Sequence, residues 1–213
     1  MSIHPPGHNK RFYDNLLLGK LINDVINLLL QKSGYLVIPY GYESTQPGLL
    51  KKIHEGEIIQ TKTVMRIRYS PDLLVYDDTN RRLLLVEVKM RTANPANKIF
   101  FNSYRISRYK EFYDDAILVL VVNTGNILYA QKIEVLDSSK DYYDVTTEFQ
   151  KFEDFFDQVQ EDDLSQFRDK ALEIMGNGKL QIKSNDKPYS SSEIRKKYPN
   201  SGPGELKSGS GEI

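Results

Sequence analysis

Two apolar stretches separated by a short polar turn decide the fold of this chain: Ser70-Pro71-Asp72-Leu73-Leu74-Val75-Tyr76 and Leu83-Leu84-Leu85-Val86-Glu87-Val88-Lys89. Both are rich in β-favouring residues, and Asp78-Thr79-Asn80 between them is typical of a tight turn, so we expect a β-hairpin. Side chains two residues apart point to the same face of a strand. Glu87 and Lys89 should therefore project together, and Asp72 should open the neighbouring strand.

The three charged residues of this hairpin indicate what kind of ligand the site could bind. A charge at the end of an apolar strand is costly unless it is compensated, and a divalent metal ion with a phosphate group would compensate all three. Mg²⁺ takes few carboxylates, keeps several waters and accepts phosphate oxygens as further ligands, and Mn²⁺ could replace it. We therefore predict hydrolysis of a phosphodiester, with Asp72, Glu87 and the backbone carbonyl of Val88 as metal ligands. Lys89 would position or deprotonate the attacking water and stabilise the phosphate.

The segments around the hairpin predict a mixed α/β fold. A wide apolar stripe closed by Gly34 predicts a first helix, and the pattern further along predicts strands on both sides of the hairpin and a second helix. This order corresponds to a central mixed sheet flanked by helices, in the α/β or α+β class. The predicted helices cover residues 12–33 and 102–114. The predicted strands cover residues 35–40, 60–69, 116–122 and 127–130, with Arg66 and Arg68 on one face of the strand at 60–69.

The last third of the chain predicts further helices. Thr147 and Gln150 match a capping box, and Phe149, Phe152, Phe156 and Val159 follow at helical spacing. Residues 164–175 continue the pattern in a second helix. We expect a flexible N-terminus at residues 1–11, a core at 12–138, an acidic helical extension at 139–178 and a flexible tail at 179–213.

Charge is divided unevenly along a chain whose net charge is zero. Residues 1–112 carry 17 Lys and Arg against 10 Asp and Glu, whereas residues 113–178 carry 5 against 15. A local excess of positive charge favours contact with a polyanion. We expect Arg66, Arg68, Arg91, Arg105 and Arg108 to bind nucleic acid, and the acidic C-terminal helices are available to a protein partner.

The hairpin resembles the PD-(D/E)xK nuclease superfamily, which has the restriction-endonuclease-like fold. Pro71-Asp72 and Glu87-Val88-Lys89 match its two half-motifs, and the order of helix, hairpin, helix and buried strand is similar. The resemblance runs from Gly19 to about Val135 and is greatest to archaeal Holliday-junction resolvases and related small bacterial proteins. It implies a Mg²⁺-dependent DNA endonuclease with Asp72, Glu87 and Lys89 as catalytic residues, and such nucleases often work as homodimers.

One position departs from the family pattern. In such resolvases a glutamate of the first helix, four residues after a glycine, helps to hold the metal. Counted from Gly19, that position is Asn23, with Asp24 beside it, so either residue is a candidate ligand, and Glu43 is a further acid. The alternative is a catalytically weakened protein of the same fold that acts as a nucleic-acid-binding or assembly module.

Composition limits the remaining possibilities. The chain has no cysteine, which excludes disulfides and thiolate zinc sites. We find no signal-peptide pattern and no apolar run of about 18 residues, so we expect a cytoplasmic protein with no membrane contact. Dinucleotide-binding and phosphate-loop motifs are also missing from the sequence.

Overall fold

The hairpin lies in a mixed sheet in this computed structural model, which describes residues 7–41, 52, 58–59, 61–123 and 127–177. All of these residues belong to one unit of the chain, Met1–Leu180. The described strands are β1 (Leu36–Pro39), β2 (Leu73–Asp77), β3 (Arg82–Arg91), β4 (Lys98–Phe100), β5 (Ile117–Val122), β6 (Leu128–Lys132), β7 (Tyr142–Asp144) and β8 (Gln150–Lys151). The described α-helices are α1 (Gly7–Lys32), α2 (Lys62–Arg68), α3 (Ser103–Tyr113), α4 (Val145–Glu148) and α5 (Glu161–Asn177).

Six of these strands form one sheet in the order β1-β2-β3-β5-β6-β8. Only the β3–β5 pair is parallel; the other neighbours are antiparallel. Strands β4 and β7 form a separate antiparallel pair. The prediction of a mixed α/β fold with a central mixed sheet is therefore confirmed.

Two hydrophobic cores lie on opposite faces of the large sheet. Alternate residues of a strand point to opposite faces, and on β5 Val119 belongs to one core while Leu118 belongs to the other. Helices α1 and α5 cover the first core, for example through Ile26 and Phe167. Helix α3 and the small sheet cover the second, for example through Ile106.

Several predicted elements are confirmed with small shifts in their bounds. Helix α1 ends where Gly34, with φ of 96°, adopts the left-handed conformation that glycine tolerates. Strand β5 is buried at every position, as a continuous apolar run predicts. The helix predicted at residues 102–114 is α3, and the one predicted at 164–175 lies within α5.

The predicted strand at residues 60–69 is wrong, because residues 62–68 form helix α2. The Thr61 side chain caps the helix by accepting a hydrogen bond from Val64 N at 3.2 Å. The spacing of apolar residues in this segment is compatible with both a helix and a strand, and the Thr61 cap favours the helix. Arg66 and Arg68 consequently do not share a face, since two positions on a helix differ by about 200°.

The helix predicted from Phe149 to Val159 is also wrong. Gln150 and Lys151 form strand β8, and a single 3₁₀ turn follows at Phe152–Asp154. Phe152 and Phe156 are fully buried and stack with ring centroids 4.5 Å apart. One turn of chain is enough to bring these rings together, so helical spacing here reflects a packed turn rather than a long helix.

Residues 139–177 contribute to both cores of the sheet. Tyr143 lies in the core beneath α3, whereas Phe152 and Phe167 lie in the core beneath α1. The predicted tail at 179–213 lies outside the described residues, and so do residues 1–6 of the predicted N-terminus. None of the described helices is long and apolar enough to cross a membrane.

Candidate active site

The backbone of the hairpin brings Asp72 next to Glu87. Leu73 is paired with Val86, so the residues that flank this pair, Asp72 and Glu87, come side by side in the antiparallel ladder. The Asp72 carboxylate also accepts a hydrogen bond from Val88 N at 2.9 Å. The side chain of Asp72 is therefore fixed to the strand that carries the other two charged residues.

The end of β1 closes the same corner of the sheet. Tyr40 N and Gly41 N donate to the carbonyl of Asp72 at 2.9 and 3.1 Å. A Cβ atom on Gly41 would lie 3.3 Å from Asp72 Cα and from Pro71 O, closer than most real Cβ contacts. Glycine at position 41 thus permits the close approach that holds Asp72 between β1 and β3.

The Lys89 ammonium lies where three oxygen atoms converge. It pairs with Glu87 Oε1, donates to Val88 O at 3.1 Å and lies 3.6 Å from Asp72 Oδ2. These are the three groups that the sequence predicts as metal ligands. The site is recessed, because the side chains of Asp72, Glu87 and Lys89 are only 22%, 3% and 19% exposed.

Burial, and next to it the nearby charge of Asp72, raise the pKa of Glu87 to about 7. Lys89 acts in the opposite direction, since its positive charge and its hydrogen bond both favour the carboxylate. Near neutral pH the buried Glu87 therefore carries a proton in part of the molecules. A cation that binds directly to such a group stabilises its ionised form.

Tyr109 completes the site from helix α3. Its hydroxyl donates a hydrogen bond to Glu87 Oε1, and the residue is only 3% exposed. Burial and the charge of Glu87 raise the pKa of Tyr109 well above its ordinary value, so it stays a donor. Tyr109 is not among the site residues predicted from the sequence. Its position three residues after the apolar Ile106, on one helix face, was the available signal that it points inward.

Asn23 and Asp24 lie on α1, which covers the opposite face of the sheet from Tyr109 and Glu87. Asn23 Oδ1 is buried and has no hydrogen-bond partner among the described residues, whereas Asp24 is exposed. The described part of the chain contains no group of three or more His, Cys, Asp or Glu side chains that could hold a metal ion. Glu43, the other predicted acid, lies outside the described residues.

Four of the five predicted DNA-binding arginines lie on α2 and α3. Arg66 and Arg105 are exposed, and Arg68 is half-buried. Arg108 forms an ion pair with Glu111, and its guanidinium lies 4.8 Å from the centre of the Tyr104 ring. The two helices therefore place positive charge on the side of the sheet that carries Glu87.

The fifth arginine, Arg91, lies two residues after Lys89 on β3. Positions 87, 89 and 91 share one face of the strand. The Arg91 guanidinium packs on the ring of Phe101, 4.5 Å from its centre, and donates to Met90 O at 2.8 Å. Positive charge thus continues along β3 beyond the three converging groups.

Comparison of the chain with models of known protein families gave no match. Comparison with curated proteins gave no match either.

Proposed function

We propose that this protein is a Mg²⁺-dependent DNA endonuclease that uses Asp72, Glu87 and Lys89. The observation that carries the proposal is the convergence of Asp72 Oδ2, Glu87 Oε1 and Val88 O on one cationic point, the Lys89 ammonium. Two carboxylates, a carbonyl and a lysine in a recess at the end of a hairpin are groups that can support metal-dependent hydrolysis of a phosphodiester. The resemblance to the PD-(D/E)xK half-motifs supports the same chemistry.

The oxygen atoms at this point suit magnesium. Mg²⁺ and Mn²⁺ prefer carboxylate and carbonyl oxygens over nitrogen or sulfur, and one or two carboxylates are sufficient for Mg²⁺. Asp72, Glu87 and the Val88 carbonyl would hold the ion, whereas Asn23 lies on α1, which covers the other face of the sheet. A bound Mg²⁺ would acidify a water ligand and neutralise charge that develops on the phosphate.

The protein's own groups have separate roles in the proposed reaction. A water oxygen attacks phosphorus and the bond to one sugar oxygen breaks. The water gives up one proton and the departing sugar oxygen takes up one from solvent, which leaves a phosphate monoester and a hydroxyl group. Lys89 donates hydrogen bonds to the water and the phosphate oxygens and so stabilises the charge of the transition state. Tyr109 holds Glu87 in place. The arginines of α2 and α3, together with Arg91, bind flanking phosphates.

A second candidate function is binding without cleavage. Asn23 stands where the resembling resolvases have a glutamate, and among the described residues no third acid joins Asp72 and Glu87. In this case the fold would bind nucleic acid, as a homodimer or with a protein partner on the acidic C-terminal segment. The Lys89 ion pairs would then have a structural role.

Cleavage assays separate the two candidates. Supercoiled plasmid and a branched DNA are incubated with the protein and Mg²⁺, with Mn²⁺ and with a chelator. Wild-type protein should cleave only with metal, and Asp72→Asn and Lys89→Met should reduce the rate at least 100-fold while the melting temperature stays near that of wild type. Asp78→Asn is the matched control, because Asp78 is an exposed acid at the other end of the same hairpin. Equal cleavage by all four proteins would exclude the catalytic assignment.

A further inference from the structure

We propose that the site accepts unpaired nucleotides, so that the substrate class of the proposed endonuclease is DNA with a single-stranded segment at the point of cleavage. This inference rests on the proposed function, and it adds a statement about substrate class. It comes from the contact of α3 with the site and from two exposed tyrosines, Tyr104 near the start of α3 and Tyr40, which follows β1 and contacts Tyr113 at the end of α3.

Helix α3 spans the site from one side to the other. Near its middle, Tyr109 contacts Glu87. Near its start, Tyr104 is 36% exposed and its ring faces the Arg108 guanidinium. At its end, the Tyr113 hydroxyl donates to Arg66 O at 3.0 Å and also interacts with the side chain of Tyr40. Nine residues of helix separate the two ends, a distance of about 14 Å.

Tyr40 marks the other exposed aromatic position. It is 41% exposed, and its backbone N–H donates to the carbonyl of Asp72 at 2.9 Å. Tyr40 therefore lies directly beside one of the proposed catalytic acids, and Tyr104 lies at the opposite end of α3. A strand that crosses the site would meet a tyrosine ring on each side of the scissile phosphate.

Arginines lie beside Tyr104, since Arg108 packs on its ring and Arg105 is the next residue of α3. Tyr69 packs edge-to-face on Tyr109, with centroids 5.6 Å apart, and Arg68, Arg105 and Arg108 all interact electrostatically with it. Aromatic side chains interleaved with positive charge are typical of surfaces that bind single-stranded nucleic acid, where bases stack and phosphates pair with arginine.

The recessed position of the acids argues against an intact duplex as the substrate. The side chain of Glu87 is 3% exposed and contacts Tyr109 of α3, and those of Asp72 and Lys89 are about one-fifth exposed. Duplex phosphates lie on a rigid cylinder with a fixed spacing, whereas a single strand can turn its backbone into a recess while its bases stack outside. The same recess would admit a flap, an overhang or an unpaired loop.

Binding measured without metal tests the inference separately from catalysis. Fluorescence anisotropy in a chelating buffer compares one labelled 30-mer as a single strand, as a full duplex and as a duplex with a single-stranded flap. We expect the single strand and the flap to bind at least tenfold more tightly than the duplex. Tyr40→Ala and Tyr104→Ala should each weaken single-strand binding about tenfold, whereas Tyr40→Phe should not.

Tyr142→Ala is the matched control, because Tyr142 is 51% exposed and lies on β7 in the separate small sheet. If Tyr40→Ala does not fold, Tyr40→Leu keeps the bulk of the residue and removes the ring. Equal affinity for the duplex, or equal weakening by Tyr142→Ala, would overturn the inference. Cleavage of the linear, fully paired 30-mer with Mg²⁺ would also overturn it and leave the nuclease proposal standing, whereas cleavage of supercoiled plasmid would not, because supercoiling opens unpaired segments. Preference for the single strand without any cleavage would support the binding preference and contradict the nuclease proposal.

Discussion

The Tyr109 hydroxyl donates a hydrogen bond to the buried Oε1 atom of Glu87, across 22 positions of sequence. This contact joins helix α3 to the hairpin and fixes the orientation of a carboxyl group that the proposed reaction requires. Glu87 receives a second contact at the same oxygen from the Lys89 ammonium. Two donors therefore hold one carboxylate oxygen from the helix side and from the strand.

Replacing Tyr109 by phenylalanine should weaken both the fold and the site. Phenylalanine keeps the ring contact with Tyr69 and removes only the donor to Glu87, and loss of a hydrogen bond to a charged group costs about 1.5–3 kcal/mol. Urea denaturation measures the free energy of unfolding, and a cleavage assay measures the rate. Tyr76→Phe is the control, because the Tyr76 hydroxyl donates to Asp78 in an exposed pair. A Tyr109→Phe protein as stable as the control would contradict this role.

Replacing Glu87 by glutamine should stabilise the metal-free protein at pH 8 and not at pH 5. The pKa of Glu87 is raised to about 7 by burial and by Asp72, from an ordinary value of 4.5. A raised acid pKa means that the folded state binds the proton more tightly, so wild-type stability falls as pH rises from 4.5 to 7. Glutamine does not titrate, and the difference should reach roughly 3 kcal/mol above pH 7.

Thermal unfolding in a chelating buffer at pH 5, 6, 7 and 8 measures this difference, and the cleavage assay should show that the same variant is inactive. A gain in stability together with a loss of cleavage distinguishes a functional carboxylate from a structural one. If the gap in melting temperature between Glu87→Gln and wild type does not change with pH, then Glu87 has an ordinary pKa.

The sequence predicts a structural element well when the pattern that identifies it lies within the element itself. The hairpin and β5 are continuous apolar runs bounded by turn residues, so their own sequence identifies them. Residues 62–68 fit a helix and a strand equally well by pattern, and the Thr61 cap decided between them. The contact between Tyr109 and Glu87 is tertiary, and nothing in the sequence around Tyr109 indicates that α3 packs next to Glu87.

A second buried carboxylate, Asp77, should support stability without any role in cleavage. It is fully buried at the turn end of the hairpin and accepts hydrogen bonds from Arg82 at 2.6 Å and from Gln158 at 2.8 Å. Burial alone would raise the pKa of Asp77, but hydrogen bonds from Arg82 and Asn80 outweigh it and lower the pKa. Asp77→Asn should therefore cost about 2 kcal/mol of unfolding free energy.

The pH dependence of this contribution has the opposite sign to that of Glu87. A lowered acid pKa gives stability that is present above the ordinary value of 3.8 and is lost as pH falls through the folded value. The gap between wild type and Asp77→Asn should therefore narrow in acid. Denaturation curves at pH 3, 4 and 7 measure it, with Asp78→Asn as the exposed control, and cleavage by the folded Asp77→Asn protein should be normal. A gap of constant size would contradict the assignment.

Nucleic-acid binding should weaken steeply with salt. Each phosphate contact releases counterions, so the logarithm of affinity falls linearly with the logarithm of salt concentration. Arg66→Ala and Arg105→Ala should each reduce that slope by about 0.7 for a single strand. Anisotropy titrations between 50 and 300 mM salt measure the slope. Lys132→Ala is the control, because Lys132 pairs with Glu134 on an exposed edge. A slope near zero for the wild-type protein would indicate that its partner is not a polyanion.

Asn23 offers a test of the metal proposal that does not depend on cleavage. Its Oδ1 atom is buried without a partner among the described residues, so an Asn23→Asp substitution keeps the shape and adds a charge at that atom. An uncompensated buried charge should lower the melting temperature of the metal-free protein. If the metal binds within reach, millimolar Mg²⁺ should raise the melting temperature of Asn23→Asp more than that of wild type, because a ligand stabilises the state that binds it. The Asp72→Asn protein should show no Mg²⁺ response. A variant that Mg²⁺ leaves unchanged, beside a wild-type protein that responds, would place Asn23 outside the metal site.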